Sequence, residues 1–261
     1  MFRKVLPGRE QEAMAFLSSE PEVNHFILGD VECYGLNDPN LSLWVEERHG
    51  LAAALLKYYG SFILYAPGGA DYRHASKLMR ETGFGMLSGK PEFIKPLLDE
   101  LKLAPELQTN VLMKLAPGEL TDNTGAIQAV KVDLSNLDRY LADLVALRQS
   151  ITEFSMALNV DALRDELLMG CKRIYIGMED NHAVSMAMTT VERRGAAMIV
   201  SVCTQREYRG RGHARALMSV LCGELAREGK TAVLFYNNPV AGRLYESLGF
   251  QDIGRWCFAS F

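Results

Sequence analysis

The stretch Val202-Cys-Thr-Gln-Arg-Glu-Tyr-Arg209-Gly210-Arg211-Gly212-His213-Ala214 joins two patterned segments. Before it lies a mostly apolar run, Ala196 to Cys203, which reads as a central strand. After it, Ala214, Leu217, Met218, Leu221 and Leu225 share one face of a helix. A buried strand therefore runs into a loop with two glycines, and the loop opens a helix. Amides at a helix N-terminus have no intrahelical partner, and the dipole there is positive. Glycine lets the backbone come close to a ligand. The combination makes a diphosphate site. Two other phosphate loops fit worse. A P-loop would end in Gly-Lys-Ser/Thr, where this chain has Gly212-His213-Ala214, and a dinucleotide fingerprint would need glycine at Arg215.

Working outward, Ile127 to Val132 alternates as a strand, and Leu137, Tyr140, Leu141, Leu144 and Leu147 recur at helical spacing. A short helix follows over Val160 to Met169. Arg173 to Met178 and Val184 to Val191 are strands joined at Glu179-Asp180-Asn181, a hairpin signal. Downstream, Thr231 to Phe235 is a strand. Asn238 is a good N-cap, Pro239 suits the first helical position, and Gly249 suits the turn that ends the helix. Phe250 to Phe261 closes the chain as a strand.

The first half repeats this order. Strands at Phe2 to Val5, Leu41 to Glu46, Leu51 to Tyr58, Phe62 to Ala66, Phe84 to Leu87 and Gln108 to Leu115 alternate with helices over Glu10 to Ser18, Val23 to Cys33, Asp71 to Arg80 and Pro91 to Leu101. The polar stretch Pro117 to Gly125 separates the halves. The expected division is a domain over 1–117, a linker at 118–125 and a second domain over 126–261.

Composition sets outer limits. The net charge is −4 without blocks of like charge, so nothing points to nucleic acid or an anionic membrane. The N-terminal MFRKVLPGRE lacks an apolar core of the secretory type, and no apolar run approaches the roughly 18 residues of a membrane span. Five scattered cysteines without a CxxC pair predict free thiols in a reducing cytoplasm and no metal site.

The pattern Arg209-x-x-Gly212-x-Ala214 resembles the coenzyme A pyrophosphate loop of the GNAT superfamily of N-acetyltransferases. Asn238-x-x-Ala241-x-x-x-Tyr245-x-x-x-Gly249-Phe250 resembles that superfamily's second motif, in the expected order. The resemblance implies an α/β fold in which a mixed, mostly antiparallel sheet is flanked by helices, built here twice. It implies acetyl-CoA as cosubstrate and an amine as acceptor. It places Val200, Val202, Cys203, Thr204, Arg209, Gly210, Arg211, Gly212, His213, Ala214, Asn238 and Tyr245 at the coenzyme. By position, the amide near Val200 polarises the thioester carbonyl, and amides around Val202 and Thr204 hold the pantetheine arm. Asn238 contacts the pantetheine or helps place Tyr245, and Tyr245 protonates the departing sulfur.

Histone-type relatives carry a glutamate where this chain has Ala196, so the base does not transfer. Glu192 and Glu153 are the remaining candidates, each expected on the solvated surface. The missing glutamate leaves a second reading open, a pseudoenzyme that senses acyl-CoA without turnover. The first half looks degenerate. Its counterpart loop, Ala66-Pro67-Gly68-Gly69-Ala70, lacks the signature, and the literal match Arg80-x-x-Gly83-x-Gly85 follows a helix instead of opening one. This half could wall the acceptor cleft or support a homodimer.

Overall fold

The computed structural model describes residues 1–121, 127–150 and 158–261. Its element order is one pattern used twice. The first pass runs β1 (Phe2–Lys4), α1 (Gln11–Leu17), α2 (His25–Tyr34), β2 (Leu41–Glu47), β3 (Leu51–Tyr58), β4 (Ser61–Tyr65), α3 (Tyr72–Thr82), β5 (Met86–Gly89), α4 (Pro91–Leu101) and β6 (Leu107–Leu115). The second runs β7 (Gln128–Val132), α5 (Leu137–Gln149), α6 (Val160–Leu168), β8 (Ile174–Glu179), β9 (His182–Thr190), β10 (Ala196–Thr204), α7 (His213–Arg227), β11 (Thr231–Tyr236), α8 (Pro239–Ser247) and β12 (Gln251–Ser260). A 3-10 turn at Arg206–Tyr208, which the sequence pattern did not indicate, precedes α7.

The compact units do not coincide with the sequence halves. The first comprises Met1–Leu112 with Ile253–Phe261, and the second Met113–Asp252. The cause is strand pairing. Cys257 to Ser260 of β12 run antiparallel to Gly89 to Met86 of β5, so the C-terminal strand completes the first unit. The end of β6 belongs to the second unit, where the Leu115 side chain lies against Gly249.

Within the first unit β1, β2, β3 and β4 pair antiparallel, and β4 pairs parallel with β5. Within the second, β7 to β10 form antiparallel neighbours and β10 pairs parallel with β11. The β8–β9 hairpin turns at Asp180 and Asn181, both with positive φ (50° and 62°), the residue types that accept a left-handed turn most readily. Side chains alternate across this sheet. Ile174, Ile176, Met186 and Met188 join Leu137, Leu144 and Leu147 of α5 and Leu163 of α6 in one core. On the opposite face Tyr175 donates to Glu224 of α7 at 2.5 Å.

Candidate coenzyme cleft

The parallel ladder between β10 and β11 runs from Ala196–Thr231 to Ile199–Leu234 and then stops. Both strands continue, β10 to Thr204 and β11 to Tyr236. Their parting opens a cavity of about 500 Å³. One wall is Val202, Cys203 and Thr204; the other is Phe235 to Asn238. The loop and first turn of α7 close one end, and Ala241, Leu244 and Tyr245 of α8 another.

Each part has a local cause. Gly212 is the N-cap of α7 and has φ of 83°, a left-handed conformation that side-chain-bearing residues rarely adopt. Among the described residues no side chain bonds to this N-terminus, and its first turn carries no acidic residue, so its positive end faces the cavity uncapped. The start of α8 is different. Asn238 Oδ1 accepts from the Val240 amide at 2.9 Å, which fixes where the helix begins and hence where Tyr245 stands. Tyr236 packs over α8 at Gly242, where an added Cβ would lie 2.4 Å from the ring. The same ring meets Tyr245 edge-on at 5.9 Å. Burial pushes the Tyr245 phenol up to about 12, with smaller contributions from Cys222 and Cys203, so it is neutral at ordinary pH.

Thr204 supplies an observation that bears on occupancy. Its hydroxyl is buried, lines the cavity and has no hydrogen-bond partner among the described residues. A buried polar atom of this kind is costly unless a ligand or water satisfies it. Together with the uncapped α7 terminus, it fits a group that brings both an anion and hydrogen-bonding amides. Cys203 is no nucleophile here, since burial holds its thiol at about 12.

Most coenzyme positions expected from the sequence meet in this cavity: Val202, Cys203, Thr204, Arg209, Gly210, Gly212, His213, Ala214, Asn238 and Tyr245. Arg209 turns back to donate from Nε to the Thr204 carbonyl at 3.1 Å, bracing the loop. Two positions lie elsewhere. Val200 packs on the core beneath α5. Arg211 swings away to Glu179 at 2.6 Å and to the Glu207 carbonyl at 3.1 Å. His213 Nε2 also stands 2.6 Å from Glu179, although the angle is not that of a hydrogen bond. Tyr208, Arg215, Phe235, Tyr236, Asn237, Val240 and Leu244 also line the cavity and were not singled out. Their proximity to motif residues was the available signal.

Glu192 is not the solvated residue its charge suggested. It is buried, receives Arg173 at 2.9 and 3.0 Å and Lys230 at 2.9 Å, and accepts from the Thr189 hydroxyl at 2.6 Å. Both carboxylate oxygens are thus taken up by donors of the protein itself. It is also absent from the cavity lining. Glu153 lies outside the described residues. Among these residues no group of three His, Cys, Asp or Glu could hold a metal, and no helix is long and apolar enough to cross a membrane.

Residues 143–250 match the model of the acetyltransferase (GNAT) family. That segment is similar to the GNAT acetyltransferases, a family that in general moves acyl groups from acyl-CoA. No curated protein matches it in sequence. Solved structures share the fold along nearly the whole chain. A tandem GNAT protein from the clavulanic acid biosynthesis pathway is 15% identical over 99% of this chain and 97% of its own, with a TM-score of 0.59. A GCN5-related N-acetyltransferase from Sphaerobacter thermophilus is 15% identical over 99% and 94%, at 0.65. A Drosophila protein is 10% identical over 100% and 98%, at 0.70.

Proposed function

We propose that this protein transfers an acetyl group from acetyl-CoA to a primary amine in the cleft between β10 and β11. One observation carries the reading: the strands part at Ile199–Leu234, and the gap they leave runs from the uncapped N-terminus of α7 to the Tyr245 ring. The diphosphate suits the α7 amides, and the pantetheine amides suit the edge of β10 that β11 has released. Arg209 keeps the loop in shape. The Thr204 hydroxyl, without a partner among the described residues, is a further donor to the coenzyme.

In this reading the amine nitrogen attacks the thioester carbonyl, polarised by the amide near Val200, and the C–S bond breaks with its electron pair on sulfur. Tyr245 meets that charge as a neutral phenol. With the phenol at about 12 and an ordinary thiol at ~8.5, full proton transfer in the resting site is uphill. The hydroxyl therefore contributes most as a hydrogen-bond donor while charge builds on sulfur; the proton shed by the acylated nitrogen is the one that ends on sulfur, relayed through the phenol so that Tyr245 finishes neutral and coenzyme A leaves as the thiol. Glu192 takes no part. The amine loses its proton before attack, so the rate should rise with pH through the amine's own titration.

The test is thiol release from acetyl-CoA by the full chain across amino acids, polyamines and peptide N-termini, with coenzyme A binding followed by calorimetry. Amine-dependent release with an N-acetyl product supports the transferase. Tight binding without release for every amine supports the sensing role instead. Absence of binding sinks both.

A further inference from the structure

Ser201 sits in the middle of β10 with φ of 56°. That is the left-handed region, unusual inside a strand and costly for a residue with a Cβ. Its place is not arbitrary. The β9–β10 register shifts between Val200 and Cys203, and the ladder with β11 ends at Ile199. The bulge thus falls where the two strands part. Arg148, in the last turn of α5, donates from Nη1 to the Ser201 hydroxyl at 3.0 Å.

We propose that Arg148 is a positioning residue for the cleft, holding Ser201 left-handed and thereby keeping β10 bulged and apart from β11. This rests on the reading of the cavity as the acyl-CoA cleft. A charge-assisted hydrogen bond offsets the cost of the backbone conformation. Without it, Ser201 relaxes toward ordinary extended geometry. A strand has a side-chain period of two, so removing the bulge turns the following residues over. Val202 to Thr204 then no longer line the cleft as they do, and the ladder with β11 can extend past Ile199–Leu234. The guanidinium acts through the backbone of Ser201 and touches no reacting atom.

Two substitutions at one position separate this from a plain hydroxyl contact. Ser201→Ala removes the acceptor and keeps the left-handed penalty; Ser201→Gly removes both. Calorimetry on the full chain with acetyl-CoA and with ADP reads the outcome, because ADP engages only the diphosphate end at α7. We expect Ser201→Ala and Arg148→Met each to weaken acetyl-CoA by roughly tenfold, with ADP affinity little changed. Ser201→Gly should keep most of the acetyl-CoA affinity, and adding it to Arg148→Met should restore what that change removed. Equal losses for Ala and Gly at position 201 overturn the proposal, as does an Arg148→Met protein that binds acetyl-CoA normally. If Arg148→Met does not fold, the Ala–Gly pair at 201 decides alone. Failure of the wild-type chain to bind either probe counts against the cleft assignment and not against the pin.

Discussion

The helices α3 and α7 occupy the same place in the repeated pattern, each following a strand that pairs parallel with the next one. Their N-termini have opposite chemistry. On α3, Asp71 is the N-cap and its carboxylate accepts from the His74 amide at 3.0 Å. An anion is already built in, where a phosphate would have to bind. On α7 the cap is Gly212, and among the described residues no side chain bonds to the helix end. The gaps differ as well. In the first unit Gly89 approaches Leu64 so closely that an added Cβ would stand 2.7 Å from its carbonyl oxygen. Tyr65 there packs on Phe16 and Phe93, and its hydroxyl donates to Glu20, which also holds Lys90. Six residues after Pro91 stands Leu97, fully buried; six after Pro239 stands Tyr245. The same order of elements thus makes a filled, self-capped unit and an open one. The residues at the helix cap and behind the strands decide which.

The largest effect should come from erasing the Tyr245–Leu97 contrast. Tyr245→Phe is expected to lower turnover by about 10²–10⁴-fold while leaving the calorimetric affinity for coenzyme A nearly unchanged. With the phenol at about 12, the wild-type rate should not decline between pH 8 and 10 through loss of this proton. A declining limb in that window, absent in the Phe variant, would assign Tyr245 a lower pKa than its burial gives.

Copying the α3 cap onto α7 should come next. Gly212→Asp places a carboxylate where the diphosphate binds and adds a side chain at positive φ. Coenzyme A affinity should fall about 100-fold or more. The melting temperature should change little, since a new N-cap offsets part of the backbone cost. Binding that survives would mean that the α7 terminus is not the phosphate site.

The reciprocal change sharpens the comparison by what it fails to do. Asp71→Ala should cost about 1 kcal/mol in chemical denaturation through loss of a cap. It should confer no second coenzyme A site, because Tyr65, Phe93 and the Glu20–Lys90 pair still fill the gap. A binding stoichiometry of two would break that argument.

The smallest effect concerns how α7 is braced. Glu228, just past its end, is held by Arg173 and Lys230, and the bond from Arg173 lowers its carboxyl to about 2. A lowered carboxylate pKa contributes stability above its ordinary value of 4.5 and loses it as pH falls toward 2. Glu228→Gln should therefore be less stable than wild type at pH 7, with the gap closing below pH 4. A gap independent of pH would show that packing, and not charge, matters at this position. On α3 the matching features are an exposed Lys77–Glu81 pair and the Arg80 bond to the Leu101 carbonyl.

Much of this was legible in the sequence because it is local. Asn238 and Pro239 announce the start of α8, Asp180 and Asn181 the hairpin, and Gly210 with Gly212 the turn into α7; each acts within a few residues of itself. The spacing of Leu137, Leu144 and Leu147 gave α5 its buried face for the same reason. Other features depend on partners far away in the chain. Glu192 read as surface because its charge was visible and its cations, Arg173 and Lys230, were not assignable from spacing. Ile253–Phe261 looked like the last strand of its own half, since strand propensity does not name the neighbour; pairing with β5 is a tertiary outcome. Ser201 carries no sequence mark of a bulge, and the Arg148 that meets it is 53 positions earlier. The sequence by itself determined the elements, their caps and the two motifs. The tertiary structure alone decided which strands part, which strand completes which unit and which carboxylates are neutralised, because those depend on contacts between residues with no local relation.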